Sequence, residues 1–149
     1  MPQFETKHRV AHTAQEMFDL VADVDRYPEF VPMCESLRVR YRKTTGEGQE
    51  VLVADMAVGY KLVRETFTSK VTLDRPAGLI LVEYIDGPFR FLQNRWTFRE
   101  LDETSCEVGF FISYEFKSRT LGALMGAMFD HAFRRFTTAF EARADKIYG

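Results

Sequence analysis

From Cys34 to Phe116 the chain keeps a period of two, interrupted only by short turn signals; after Ser118 it changes to a helical period. That switch constrains the fold more than any other feature of the sequence. Leu37, Val39 and Tyr41 alternate with Arg38, Arg40 and Arg42, and Gly46-Glu47-Gly48 is a hairpin turn. Val51 to Val58 reads as the next strand, with Gly59 permitting a tight reversal into Tyr60 to Val71. Arg75-Pro76-Ala77-Gly78 turns into Leu79 to Ile85, and Asp86-Gly87-Pro88 into Phe89 to Leu101. Asp102-Glu103-Thr104 turns into Cys106 to Phe116. Six strands joined this tightly must be antiparallel neighbours.

Ser118 is placed to cap a helix running to about Tyr148. Leu121, Leu124, Met125, Met128, Ala132, Phe136, Phe140, Ala144 and Ile147 recur at steps of three and four, and Phe129 and Phe133 widen the stripe. Such a helix is ~45 Å long at 1.5 Å per residue, enough to lie across a whole sheet. Before the meander, Phe4 to Val10 reads as a strand that closes one edge. Thr13-Ala14-Gln15-Glu16 is a capping box opening a helix whose stripe is Met17, Phe18, Leu20 and Val21. Pro28 and Pro32 restrict the segment between them to a loop or one helical turn. No repeat, low-complexity tract or linker divides the chain, so residues 1–149 are expected to form one domain. The expected class is α+β, with a seven-stranded curved antiparallel sheet around a long C-terminal helix.

The aromatic content, 14 Phe, 6 Tyr and 1 Trp, needs a large core or an apolar cavity to occupy. Inward parity, assigned by apolar content, gives Ala54, Met56 and Val58, then Val63, Phe67 and Val71. Leu92, Trp96 and Phe98 follow, then Val108, Phe110, Ile112 and Phe116. Facing them are Leu124, Met125, Met128, Phe129, Phe133, Phe136 and Phe140. Flexible Met beside Phe suits either a filled core or a deformable cavity. Tyr27, just before Pro28, and Phe30 and Val31, between the prolines, are further candidate ligand-binding residues. Glu65 and Asn94 are polar residues on apolar parities, each a candidate headgroup contact or a structural partner. An unpaired carboxylate at that depth costs several kcal/mol, so Glu65 must be neutral, paired or at the mouth. Gly122 and Gly126 each cost the helix ~1 kcal/mol, which implies close backbone packing or a mobile, membrane-touching segment.

Known enzyme signatures are missing: there is no GxSxG, P-loop or GxGxxG, and His8, His12 and His131 lack metal-ligand spacing. No cofactor, metal site or catalytic residue is expected. Cys34 and Cys106 are expected as buried thiols in a reducing compartment. The net charge of −2 supplies no general field for nucleic acid, and no DNA partner is expected. Arg38, Arg40 and Arg42 form a local basic stripe, suited to RNA phosphates or anionic headgroups, or merely to a solvated strand face. The N-terminus has no apolar signal core and no run reaches the ~20 residues of a membrane span, so a cytoplasmic location is expected.

Tyr27-Pro28-Glu29-Phe30-Val31-Pro32-Met33-Cys34-Glu35-Ser36 resembles the aromatic-proline signature of the coenzyme Q-binding START-like family. That family lies within the polyketide cyclase/dehydrase and lipid-transport superfamily. Val58-Gly59-Tyr60, Glu65, Phe67, Gly87-Pro88-Phe89, Trp96, Phe110 and Ser118 extend the likeness over nearly the whole chain. Met33 departs from it, since many relatives carry Trp there. The resemblance implies a helix-grip fold with a deep cavity that binds a polyprenyl quinone such as ubiquinone without turning it over, in support of respiration. The family also includes ribosome-association toxins that bind the large ribosomal subunit and block subunit joining. The wider superfamily includes cyclase- and hydrolase-type enzymes. A carrier would work in the cytoplasm or at the periphery of the inner membrane.

Overall fold

A computed structural model describes residues 3–60 and 63–149. The elements run β1 (Gln3–Val10), α1 (Ala14–Ala22), a 3-10 helix (Val24–Glu29) and β2 (Cys34–Gly46). They continue with β3 (Gln49–Tyr60), β4 (Val63–Asp74), β5 (Leu79–Asp86), β6 (Phe89–Asp102), β7 (Ser105–Phe116) and α2 (Arg119–Tyr148). One antiparallel sheet has the order β1-β7-β6-β5-β4-β3-β2, so the meander is intact and β1 closes its free edge against β7.

Local chemistry sets the helix ends as the sequence implies. Thr13 Oγ1 accepts from the Glu16 amide at 3.1 Å, and Glu16 Oε1 accepts from the Thr13 amide at 2.9 Å. Met17, Phe18, Leu20 and Val21 are buried, with Phe18 edge-on to Phe98 at 5.5 Å. At the other helix Ser118 Oγ accepts from the Leu121 amide at 3.2 Å.

Gly59 does not make the reversal after β3. It lies within the ladder opposite Arg64, and the strand continues to Tyr60, opposite Val63. The connection, residues 61–62, lies outside the described residues. A side chain at 59 would meet the Glu35 carboxylate and the Arg64 stem, flexible groups that would have to move aside.

The C-terminal half of α2 is fixed by three kinds of contact. Phe140 is fully buried, edge-on to Trp96 at 4.9 Å, Phe30 at 5.0 Å and Tyr27 at 5.4 Å. His12, buried after β1, places Nε2 2.6 Å from Asp145 Oδ1, and His8 Nε2 lies 2.8 Å from Glu141 Oε1. Arg143 donates to Glu29 at 2.6 Å while its guanidinium lies 5.0 Å from the Phe30 ring centre. Helix, sheet and 3-10 helix therefore meet at Phe140. Phe140→Ala should lower stability by ~3–5 kcal/mol, and Thr13→Ala by ~1 kcal/mol. Urea unfolding followed by far-ultraviolet dichroism measures both.

Candidate functional site

An internal cavity of about 100 Å³ lies between the sheet and α2, and the free space grows to about 950 Å³ when its open approach is counted. The smaller figure approaches the ~150 Å³ that accepts a single benzene ring. The sheet contributes Met56 from β3, Phe67 and Ser69 from β4, Val82 from β5, Leu92, Asn94 and Trp96 from β6, and Ile112 from β7. The helix contributes Phe129, Ala132, Phe133, Phe136 and Phe140. Tyr27, Pro32 and Met33 close one end. Met33 has a φ of 67°, a costly conformation for a side-chain-bearing residue, in the wall where the chain enters β2.

Among the described residues, polar side-chain atoms in the lining belong to Tyr27, Ser69, Asn94 and the indole of Trp96, and no lining residue is acidic, basic or histidine. The Tyr27 hydroxyl donates to the Val21 carbonyl at 2.5 Å, and burial keeps the phenol protonated far above its ordinary range. Asn94 Nδ2 donates to the Phe111 carbonyl at 2.9 Å. Ser69 is 6% exposed, and its buried hydroxyl has no hydrogen-bond partner among the described residues.

Of the candidate ligand-binding residues, Tyr27, Met56, Phe67, Leu92, Asn94, Trp96, Ile112, Phe129, Phe133 and Phe136 line the cavity, as do the inward-parity Ala54, Val58 and Val71 and the helix residue Phe140. The others do not. Phe30 and Val31 pack behind the end wall, Phe30 against Tyr27 and Phe140. Phe98 turns to Phe18, and Phe110 backs onto Trp96 and Phe136 from behind the lining. Val63 and Glu65 precede Phe67 at the start of β4, half-buried beyond the last lining residue of that strand. Glu65 lies opposite Val58 in the ladder.

Helix phase explains the remaining three. At 100° per residue Leu124 stands roughly 140° around α2 from Phe129, and it is 61% exposed. Met128 is half-buried a quarter-turn off the lining face, and Met125 is buried one turn beyond the cavity. Gly126 gives no close packing, since a side chain there would meet nothing within 4 Å.

The arginine stripe is also corrected. A bulge at Arg40 breaks the β2–β3 register, so Arg38 lies opposite Asp55 whereas Arg42 lies opposite the inward-facing Leu52. The three guanidinium groups do not share a face. Arg42 reaches Asp25 at 2.7 Å and Glu50 at 3.3 Å; Arg40 donates to Asp55 at 2.8 Å. Hydrogen bonds from Thr68 and Arg40 hold the Asp55 carboxyl below its ordinary range.

Ser69, Val82 and Ala132 were missed by the sequence reading. Ser69 carried a usable signal, since it falls on inward parity between Phe67 and Val71. Val82 was missed because no parity was assigned to β5.

Residues 10–141 match the family described as polyketide cyclase/dehydrase and lipid transport. A ribosome association toxin RatA from Vibrio cholerae is 34% identical over 149 residues, covering 100% of this chain and 99% of that protein. The mitochondrial coenzyme Q-binding protein COQ10 of Drosophila melanogaster is 34% identical over 148 residues, covering 92% of this chain and 59% of that one. The solution structure of an 18 kDa protein from Caulobacter crescentus is 34% identical, covers 100% of this chain and 99% of its own, and superposes with a TM-score of 0.79.

Both cysteines are free and buried, and burial pushes the thiols of Cys34 and Cys106 up to about 11. Neither forms appreciable thiolate near neutrality in the folded protein. A disulfide reagent at pH 8 should therefore titrate no thiols natively and two after unfolding. Native reactivity should rise only as pH approaches 11.

Proposed function

Because the chain belongs to the polyketide cyclase/dehydrase and lipid transport family, we propose that it is a non-enzymatic carrier of a polyprenyl quinone such as ubiquinone. The observation that carries this reading is an aromatic-lined cavity between sheet and helix that opens outward and, among the described residues, contains only a few neutral polar groups. A quinone head fits such a space, and a long isoprenoid tail must run out through the approach. Each further stretch of tail covered by protein adds ~25 cal/mol per Å² of apolar surface buried. Among the described residues the lining has no carboxylate, histidine or lysine to move a proton, which favours binding over turnover.

A carrier must load from a bilayer. Among the described residues no helix is long and apolar enough to cross one, so contact would be peripheral. Leu124 on α2 and Ile85 at the end of β5 are exposed large apolar residues near the β7–α2 corner. There the Lys117 amide donates to the Pro88 carbonyl at 2.9 Å. They suit a shallow membrane contact at the inner face of a bacterial envelope.

A second reading, a ribosome-directed toxin, is favoured by the full-length similarity to the Vibrio RatA protein. A cavity and a ribosome contact can coexist in one molecule. The surface for such a contact would not be a three-arginine stripe, since Arg40 and Arg42 are engaged by acids and Arg42 faces inward.

The carrier reading is tested with the single tryptophan, which lines the cavity. Titration with a short-tail ubiquinone should quench Trp96 saturably at one ligand per chain. Ala132→Phe fills the cavity and should weaken binding by about tenfold or more. Linear, non-saturating quenching would remove the reading. Leu124→Glu should slow quinone uptake from vesicles while leaving affinity for the short-tail form unchanged. Sucrose-gradient profiles of ribosomal subunits with added protein report the second reading, which requires a loss of joined ribosomes.

A further inference from the structure

The cavity contains an unpaired polar group that its apolar surroundings do not explain. Ser69 lies on the inner face of β4 between Phe67 and Val71, and its hydroxyl is buried with no partner among the described residues. Alanine would occupy that position without the cost of desolvating a hydroxyl. A hydroxyl facing an apolar cavity is accounted for when something inside the cavity bonds to it.

A second polar side chain stands across β5. Ser69 is opposite Tyr84, Val71 is opposite Val82, and Val82 is opposite Asn94. Two strand spacings and two residues of rise separate Ser69 from Asn94 by roughly 12 Å between Cα atoms in a flat sheet. Curvature toward α2 brings inward side chains closer than that. The Asn94 bond to the Phe111 carbonyl holds its amide in place, and among the described residues nothing donates to its Oδ1. Between the two lies Val82, with Phe67, Trp96 and Phe136 around the same space. This is room for one flat ring, with a hydrogen-bonding group at each edge.

The lining also states what cannot bind there. Among the described residues no lysine, arginine or histidine lies in it, so a carboxylate or phosphate head would meet no counter-charge from them. We infer that Ser69 and Asn94 form a headgroup subsite selecting a neutral ring that carries oxygens on two edges, over plain hydrocarbons and fatty acids. This rests on the carrier reading and adds the residues that read the head. The Ser69 hydroxyl donates to a ring carbonyl or ether oxygen. The Asn94 amide offers its remaining N–H to a carbonyl, or its Oδ1 to a ring hydroxyl.

The test is displacement of Nile red, a neutral apolar dye, from the full chain by three competitors: a short-tail ubiquinone, the hydrocarbon farnesene, and oleate. The parent protein should rank the quinone ahead of farnesene by about tenfold, with oleate weakest. Ser69→Ala should weaken the quinone about five- to tenfold while leaving farnesene unchanged, the loss expected for one neutral hydrogen bond. Asn94→Leu should act in the same direction. The ligand-free Ser69→Ala protein should melt at the same temperature or higher, because a structural serine would lower it and an unpaired one would not. Equal losses for quinone and farnesene, or no loss for either, would overturn the subsite while leaving the carrier reading in place. Dye bound but not displaced by quinone would overturn the carrier reading itself. The competitor ranking on the parent protein needs no variant and decides the selectivity alone.

Discussion

One helix has to cover the concave face of a seven-stranded sheet, and its aromatic side chains do not fill all the space beneath it. The rest of the structure follows from that mismatch. Phe140 brings the C-terminal half of α2 into contact with Trp96 on the sheet and with Tyr27 and Phe30 on the connecting segment. Toward its N-terminus the helix leaves Leu124 in solvent and carries a glycine, Gly126, with open space where a side chain would stand. A filled core would need larger groups at Ala54 and Ala132, and the chain has alanine at both.

The polar contacts fix the walls and stay out of the lining. His8 and His12 bind acids on α2 from the start of the chain, and Arg143 ties the same helix to Glu29. Asp55, Thr68 and Arg40 form a network on the outer face. Among the described residues, what remains facing inward is apolar surface with a few neutral hydrogen-bonding atoms. The same scaffold supports cyclases and carriers in this family, and the cavity side chains decide between them.

Elements were legible where local chemistry acts alone. The Thr13–Glu16 capping box, the Ser118 cap and the turn-punctuated meander could each be read because turns and caps are short-range. Parity also found much of the cavity, from Met56 and Phe67 to Leu92, Asn94, Trp96 and Ile112. It failed where geometry depends on distant parts. The Arg40 bulge carries no sequence signal, yet it turns Arg42 to the other face and dissolves the arginine stripe. An apolar count cannot fix helix phase, so Leu124 and Met128 were drawn inward from a stripe wider than the contact. Glu65 has inward parity but sits where the strand begins, before the lining starts at Phe67. Gly59 reads as a turn from sequence, but the ladder runs on through it to Tyr60, and which residue ends a strand depends on its neighbour.

The most direct measurement of the central claim is native mass spectrometry of the full chain after detergent-free purification from bacterial cells that make ubiquinone. The account predicts a population carrying one polyprenyl quinone per chain, released by organic extraction and absent from Ala132→Phe. A chain that carries no lipid, or carries phospholipid or fatty acid instead, would contradict it.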